Sequence, residues 1–214
     1  FTILVNASPV AKKDTFDTDE DAPLVVAAPP PLIDTYAGGG AAAPNGVSAQ
    51  TVRLIRPLGL ATGSEGSVYI ADDQRILRVM PSGTASNLTA SADISAPRDV
   101  AVDTKGDIIF VEGNNNRVLR IDAATGEITQ VAGGLGRYPP SGYNGDGISA
   151  LGALLNRPEG IAVDPQDNIY IADTSNHRVR RIDALTGIIT TVAGTGSQGL
   201  SQDGGPAGAS VRLR

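Results

Sequence analysis

Short apolar runs separated by polar turns organise most of the chain. From Pro158 the order is Ile161-Ala162-Val163, the turn Pro165-Gln166-Asp167-Asn168, then Ile169 to Ala172 and the turn Thr174 to His177. Arg178 to Asp183, the turn Ala184-Leu185-Thr186-Gly187 and Ile188 to Ala193 complete the unit. Runs this short, rich in Val, Ile and Thr and closed by Gly, Asp and Asn, predict four consecutive antiparallel strands. Ile169-Tyr170-Ile171-Ala172 is apolar at adjacent rather than alternate positions, so that strand is expected to be covered on both faces.

The unit is repeated. Pro97–Gly133 matches Pro158–Gly194 at a constant offset of 61, with 19 of 37 positions identical. A more worn copy runs from Arg56 to Val79; its middle turn is two residues shorter, so Arg75 answers Arg117 and Arg178. A four-stranded unit covered on both faces must lie between similar units, and radial repetition of such units makes a propeller. The expected fold is therefore all-β: a partial β-propeller of about three four-stranded blades at 52–90, 91–133 and 152–194, with a further blade opening at 195–214. A Gly-rich connection precedes the first blade (Tyr36-Ala37-Gly38-Gly39-Gly40 to Pro57) and the third (Ala132-Gly133-Gly134 through Tyr143-Asn144-Gly145-Asp146-Gly147 to Pro158). It begins again after Ala193 and is missing before the second blade. Val211-Arg212-Leu213-Arg214 matches Val52-Arg53-Leu54-Ile55. The expectation is an open arc from a longer protein, with an uncovered apolar face at each end.

These residues resemble the NHL-repeat family, through the turn Asn176-His177-Arg178, the opening Arg157-Pro158-Glu159-Gly160-Ile161-Ala162-Val163-Asp164 and the core from Asn168 to Asp183. The resemblance covers about residues 35–214 and implies a propeller, typically six-bladed; it implies function only loosely, since one fold hosts many functions. Residues 1–34 read as a separate, extended segment. They resemble the seam between tandem cadherin-like or immunoglobulin-like domains of bacterial surface proteins, followed by the spacer Pro29-Pro30-Pro31.

Charge and composition narrow the function. The chain carries 17 basic and 23 acidic residues, a net of −6, which argues against the basic footprint of a nucleic-acid binder. It has no cysteine, so disulfides and thiolate metal sites are excluded, and no apolar run long enough to span a membrane. The third-strand arginines Arg78, Arg120, Arg180 and Arg181 invite an RNA-binding alternative, yet each has acids nearby in sequence.

The candidate chemistry is sparse. His177 is the only histidine, and Asn116 and Gln74 take its slot in the other copies, which points to a turn residue rather than a base or metal ligand. A lyase- or lactonase-like propeller would therefore need metal ligands from blades beyond these. The strand-end acids Asp72, Glu112 and Asp173 recur in every unit, as expected of local ion pairs or turn bonds. Asp17, Asp19, Glu20 and Asp21 form an acidic cluster that would suit Ca2+ or simply solvate a linker. The Gly-rich loops are the most informative feature. Tyr143, Asn144 and Asp146 in one loop, and Gln202 and Asp203 in the next, are candidate binding residues on one propeller face, because loops on a rigid scaffold commonly carry recognition. The functional expectation is a non-catalytic module of a large secreted or cell-surface protein, binding a protein or glycan in an adhesin-like architecture.

Overall fold

The computed structural model describes residues 34–199 apart from 91 and 137. The chain divides into two units, Phe1–Asp34 and Thr35–Arg214. The cadherin-like or immunoglobulin-like reading, the acidic residues Asp17, Asp19, Glu20 and Asp21, and the loop residues Gln202 and Asp203 all lie outside the described residues.

The fold is all-β. The first sheet contains β1 (Asn45–Ser48), β2 (Pro57–Thr62), β3 (Val68–Asp72), β4 (Arg75–Val79) and β5 (Thr84–Asn87). The second contains β6 (Pro97–Val102), β7 (Ile108–Glu112), β8 (Arg117–Ile121) and β9 (Ile128–Ala132). The third contains β10 (Ile148–Ser149), β11 (Pro158–Val163), β12 (Ile169–Asp173), β13 (Arg178–Ile182) and β14 (Ile188–Ala193). Pairing between the named strands is antiparallel, and the three sheets do not close into a ring.

Two blades have five strands where four were expected. The Gly-rich connection supplies the extra one: β1 pairs with β5, and β10 pairs with β14, at the rim of each sheet. After that strand the chain makes one 3-10 turn, Ala49–Thr51 or Ala150–Gly152, and runs back along the blade towards its first proline. This return acts as an apolar wedge. Ahead of the third blade, Ala150, Ala153 and Leu155 are buried in one cluster with Val111 and Val118 of the second blade and Ile171 and Ile189 of the third. Ahead of the first blade, Ala49 and Val52 are buried against Ile70, Leu77 and Val79. Most of that blade's outward face is thus covered by its own connection, contrary to the expectation of a bare face, although Leu58 and Leu60 of β2 stay exposed.

Burial tracks blade position. The second blade lies between two neighbours, and all five residues of β7 are buried. In β12 burial alternates, because Ile169 and Ile171 face the second blade while Tyr170 and Ala172 point the other way. The innermost strands are tied laterally by Asp99, whose Oδ2 accepts the backbone N–H of Ile161 at 2.9 Å. The equivalent positions are Gly59 and Gly160, each beside the same register shift after the opening proline. A polar residue in a slot that is otherwise glycine is the sequence signal for this bridge.

Gly133 and Gly194, at the exits of β9 and β14, adopt φ of +107° and +91°. A Cβ there would collide with the carbonyl oxygens of Asn116 and His177 respectively. Both positions therefore demand glycine, sterically and conformationally.

Candidate functional site

The Gly-rich loop before the third blade is fastened to the sheet from beneath. Arg180 is fully buried and occupies the β13 slot that Leu77 and Leu119 hold in the other blades. Its Nη2 donates to the Gly145 carbonyl at 2.9 Å and to Asp146 Oδ1 at 3.0 Å. Thr191 Oγ1 donates to the same carboxylate oxygen at 3.0 Å. The Tyr143 ring receives two guanidinium groups, Arg178 at 3.8 Å and Arg180 at 4.9 Å from its centroid, within cation–π range. Asn144 closes the loop on itself: its Nδ2 donates to the Gly152 carbonyl and its Oδ1 accepts from Leu154 N–H.

The structure thus brings Tyr143, Asn144 and Asp146 together, with the Asn144 amide and Asp146 Oδ1 bonded to their own chain. The large apolar side chains that the loop exposes most are Leu135, 77% exposed, and Tyr138, 70% exposed. The sequence places Arg180 only in the stripe of third-strand arginines, not beneath this loop. The signal was present: an arginine replaces leucine at one blade's core position, and an aspartate replaces Asn45 at the loop position that meets it.

The strand-end acids are buried ties. Asp72 Oδ1 accepts from the N–H groups of Ile55 and Arg56, Glu112 Oε1 from Ser95, and Asp173 Oδ1 from Asn156. Each carboxylate thus fixes the chain entering its own blade. Asp72 pairs with Arg75 at 2.8 Å, and Glu112 pairs with Arg117. The third blade departs from this pattern: Arg178 turns to the carbonyls of Asn176 and Thr195 and to Tyr143, and Arg180 approaches Asp173 instead, at 3.6 Å. Burial pushes the Asp173 carboxyl above the ordinary aspartate value, against the opposing pull of Asn176, the Asn156 N–H and Arg180.

At the opposite end of the blades, acids hold turns. Asp164 accepts from Gln166 and Asn168, and Asp183 from Leu185 and Thr186. Asp167 reaches across to the second blade, accepting from Thr104 N–H at 2.9 Å and Thr104 Oγ1 at 2.7 Å. Hydrogen bonds hold all three carboxyls below the ordinary aspartate value, chiefly from Asn168, from Thr186 and from Thr104.

His177 has a left-handed backbone, φ 50°, closing the 3-10 turn Thr174–Asn176. Asn116 takes the same conformation, φ 51°. In the shorter first-blade turn the left-handed residue is Asp73 rather than Gln74. The third-strand arginines meet local acceptors: Arg78 bonds Glu65, and Arg181 bonds Asp183 and Asn168. Among the described residues no group of three or more His, Cys, Asp or Glu side chains is placed to hold a metal ion. No helix among them is long and apolar enough to cross a membrane.

Residues 30–213 match the family profile described as the Teneurin NHL domain. Human Teneurin-1 is 32% identical over 209 residues, covering 89% of this chain and 8% of that protein. The chicken NHL repeat-containing protein 2 is 36% identical over 112 residues, covering 52% of this chain and 14% of that protein. The chain therefore spans only a small part of the curated relatives it matches. Among solved structures, a protein of unknown function from Bacteroides thetaiotaomicron superposes with a TM-score of 0.61 at 20% identity, over 73% of this chain and 40% of that one. This last likeness supports the propeller-type fold.

Proposed function

Because the chain belongs to the Teneurin NHL domain family, we propose that it is a non-catalytic recognition module working at the cell surface or outside the cell. It binds a protein partner through the Gly-rich end of its blades. One observation carries the reading: the loop before the third blade is pinned by Arg178 and Arg180, while Leu135 and Tyr138 stay exposed on it. A loop held from below and apolar above presents a preordered surface, and preordering lowers the entropic cost of binding. The buried ion pair and the cation–π contacts do no chemistry in this reading; they hold a shape.

The candidates Tyr143, Asn144 and Asp146 act as the loop's frame, and Leu135 and Tyr138 as its contact residues. In the intact protein, Leu135→Asp and Tyr138→Asp should each abolish partner capture from cell surfaces while leaving the melting temperature unchanged. Capture that survives both changes rejects the reading. Ca2+ at Asp17, Asp19, Glu20 and Asp21 is a separate proposal, tested by calcium titration of the protein with those four residues changed to Asn or Gln.

A further inference from the structure

A cavity of about 470 Å3 lies between the second and third blades, at the end opposite the Gly-rich loops, with Asp103, Lys105, Arg120, Asp167, Asp183 and Leu185 in its walls. Its size falls within the ~300–1,000 Å3 usual for small-molecule sites. The wedge accounts for it: Ser149, Ala150 and Leu151 also line the space. Between the first and second blades, where no wedge intervenes, the corresponding cleft holds about 280 Å3.

Arg120 distinguishes this cleft from its repeats. Arg78 Nε donates to Ser67 Oγ at 3.0 Å, and Arg181 Nη2 to Asn168 Oδ1 at 2.7 Å. The equivalent partner of Arg120 is Asp107, and its Oδ2 stands 4.0 Å from Nε; Asp103 Oδ2 stands 4.0 Å from Nη2. Arg120 Nε is buried without a hydrogen-bond partner and Asp107 lies outside this cavity, so the gap that opens onto it is the one between Nη2 and Asp103. A gap of that length is too wide for a direct hydrogen bond. A hydroxyl oxygen about 2.8 Å from each side would close it, accepting from the guanidinium and donating to the carboxylate. An ionised carboxylate or phosphate diester cannot donate, and an ammonium cannot accept. The walls carry three aspartates against one lysine and one arginine, which disfavours an anion. Leu151 and Leu185, 41% and 97% exposed, add apolar surface at the rim.

We propose that this inter-blade cleft binds a neutral saccharide, one of whose hydroxyls bridges Arg120 Nη2 to Asp103 and whose ring rests against Leu151 and Leu185. The site is independent of the loop surface at the other end of the blades. Titration calorimetry of the intact protein against free neutral oligosaccharides, beside an array of the same sugars attached to a support, separates a free sugar from a glycan terminus. A neutral member should bind in at least one format, and sialylated analogues should bind more weakly. Arg120→Met should weaken that binding by about tenfold or more, and Arg78→Met, in the repeat slot whose arginine is already bonded, should leave it unchanged. Should Arg120→Met fail to fold, Leu185→Ser on its exposed turn should still weaken the same sugar. Absence of neutral-sugar binding, binding insensitive to Arg120→Met or Leu185→Ser, or ordered water alone in the 4.0 Å gap between Arg120 and Asp103 of sugar-soaked crystals overturns the proposal. Changes at Leu135 and Tyr138 leave this readout untouched, so the two sites fail separately.

Discussion

The guanidinium of Arg180 and the carboxylate of Asp146 meet at 3.0 Å, joining a fully buried strand residue to the Gly-rich loop 34 positions earlier in the chain. No such latch holds the first blade's connection, where Leu77 and Asn45 stand at the two positions. Removing one partner of a buried pair strands the other charge. The Asp146 side chain is 39% exposed, so the full 3–5 kcal/mol of a wholly buried pair does not apply. Asp146→Ala should cost about 1–3 kcal/mol in chemical denaturation.

Arg180→Leu should cost more. It restores the residue that the other blades use, but it strands the fully buried carboxylate of Asp173, whose ion-pair partner is Arg180 at 3.6 Å, and removing one partner of a buried pair is destabilising. Global stability should fall, and the loop loses its tether. Amide exchange across residues 143–147 should accelerate by about 5- to 30-fold, the factor that 1–2 kcal/mol of local stability represents. Unchanged exchange would show that the loop is held by something other than Arg180.

The pH response separates two classes of carboxyl group. Asp173 has a folded-state value raised by burial, so over the window from the ordinary aspartate value up to that raised value the native state binds more protons than the unfolded chain. Its contribution to stability therefore falls as pH rises through that window. Asp164, Asp167 and Asp183 have lowered values. They stabilise the fold above the ordinary value and lose that contribution as pH falls through their lowered values. Carbon-detected titration of labelled aspartates should find Asp173 above and the other three below the unfolded reference.

Gly133→Ala should destabilise the chain by at least about 2 kcal/mol, since it combines strain at positive φ with a collision against the Asn116 carbonyl. His177→Asn should change stability by less than about 0.5 kcal/mol, because asparagine tolerates the left-handed conformation that Asn116 already adopts one blade earlier. Thermal melting of the two variants checks both. A large loss at His177 would mean that the imidazole does more than close a turn.

Much of the blade architecture was legible because the hydrophobic pattern and the 61-residue repeat constrain it independently. The expected strand Ile188 to Ala193 appears as such, and the other three of its blade agree to within one to three residues. The wedge was not legible. Val47 and Ile148 are single apolar residues flanked by glycine and serine, too short a signal to predict a fifth strand without seeing the sheet edge that receives them. The candidate loop was found for its glycines, while its frame was hidden: Arg180 read as one more surface arginine, because sequence does not show which face of a strand looks inward when both faces are covered.

The most direct test of the recognition reading is photocrosslinking from defined positions. A photoreactive amino acid placed at position 135, in the intact protein on living cells, should give a discrete protein adduct. The same group at position 124, exposed on a turn at the far end of the second blade, should give none. Equal adducts at both positions, or none at 135, would contradict the claim that the latched loop is the surface this module uses for recognition.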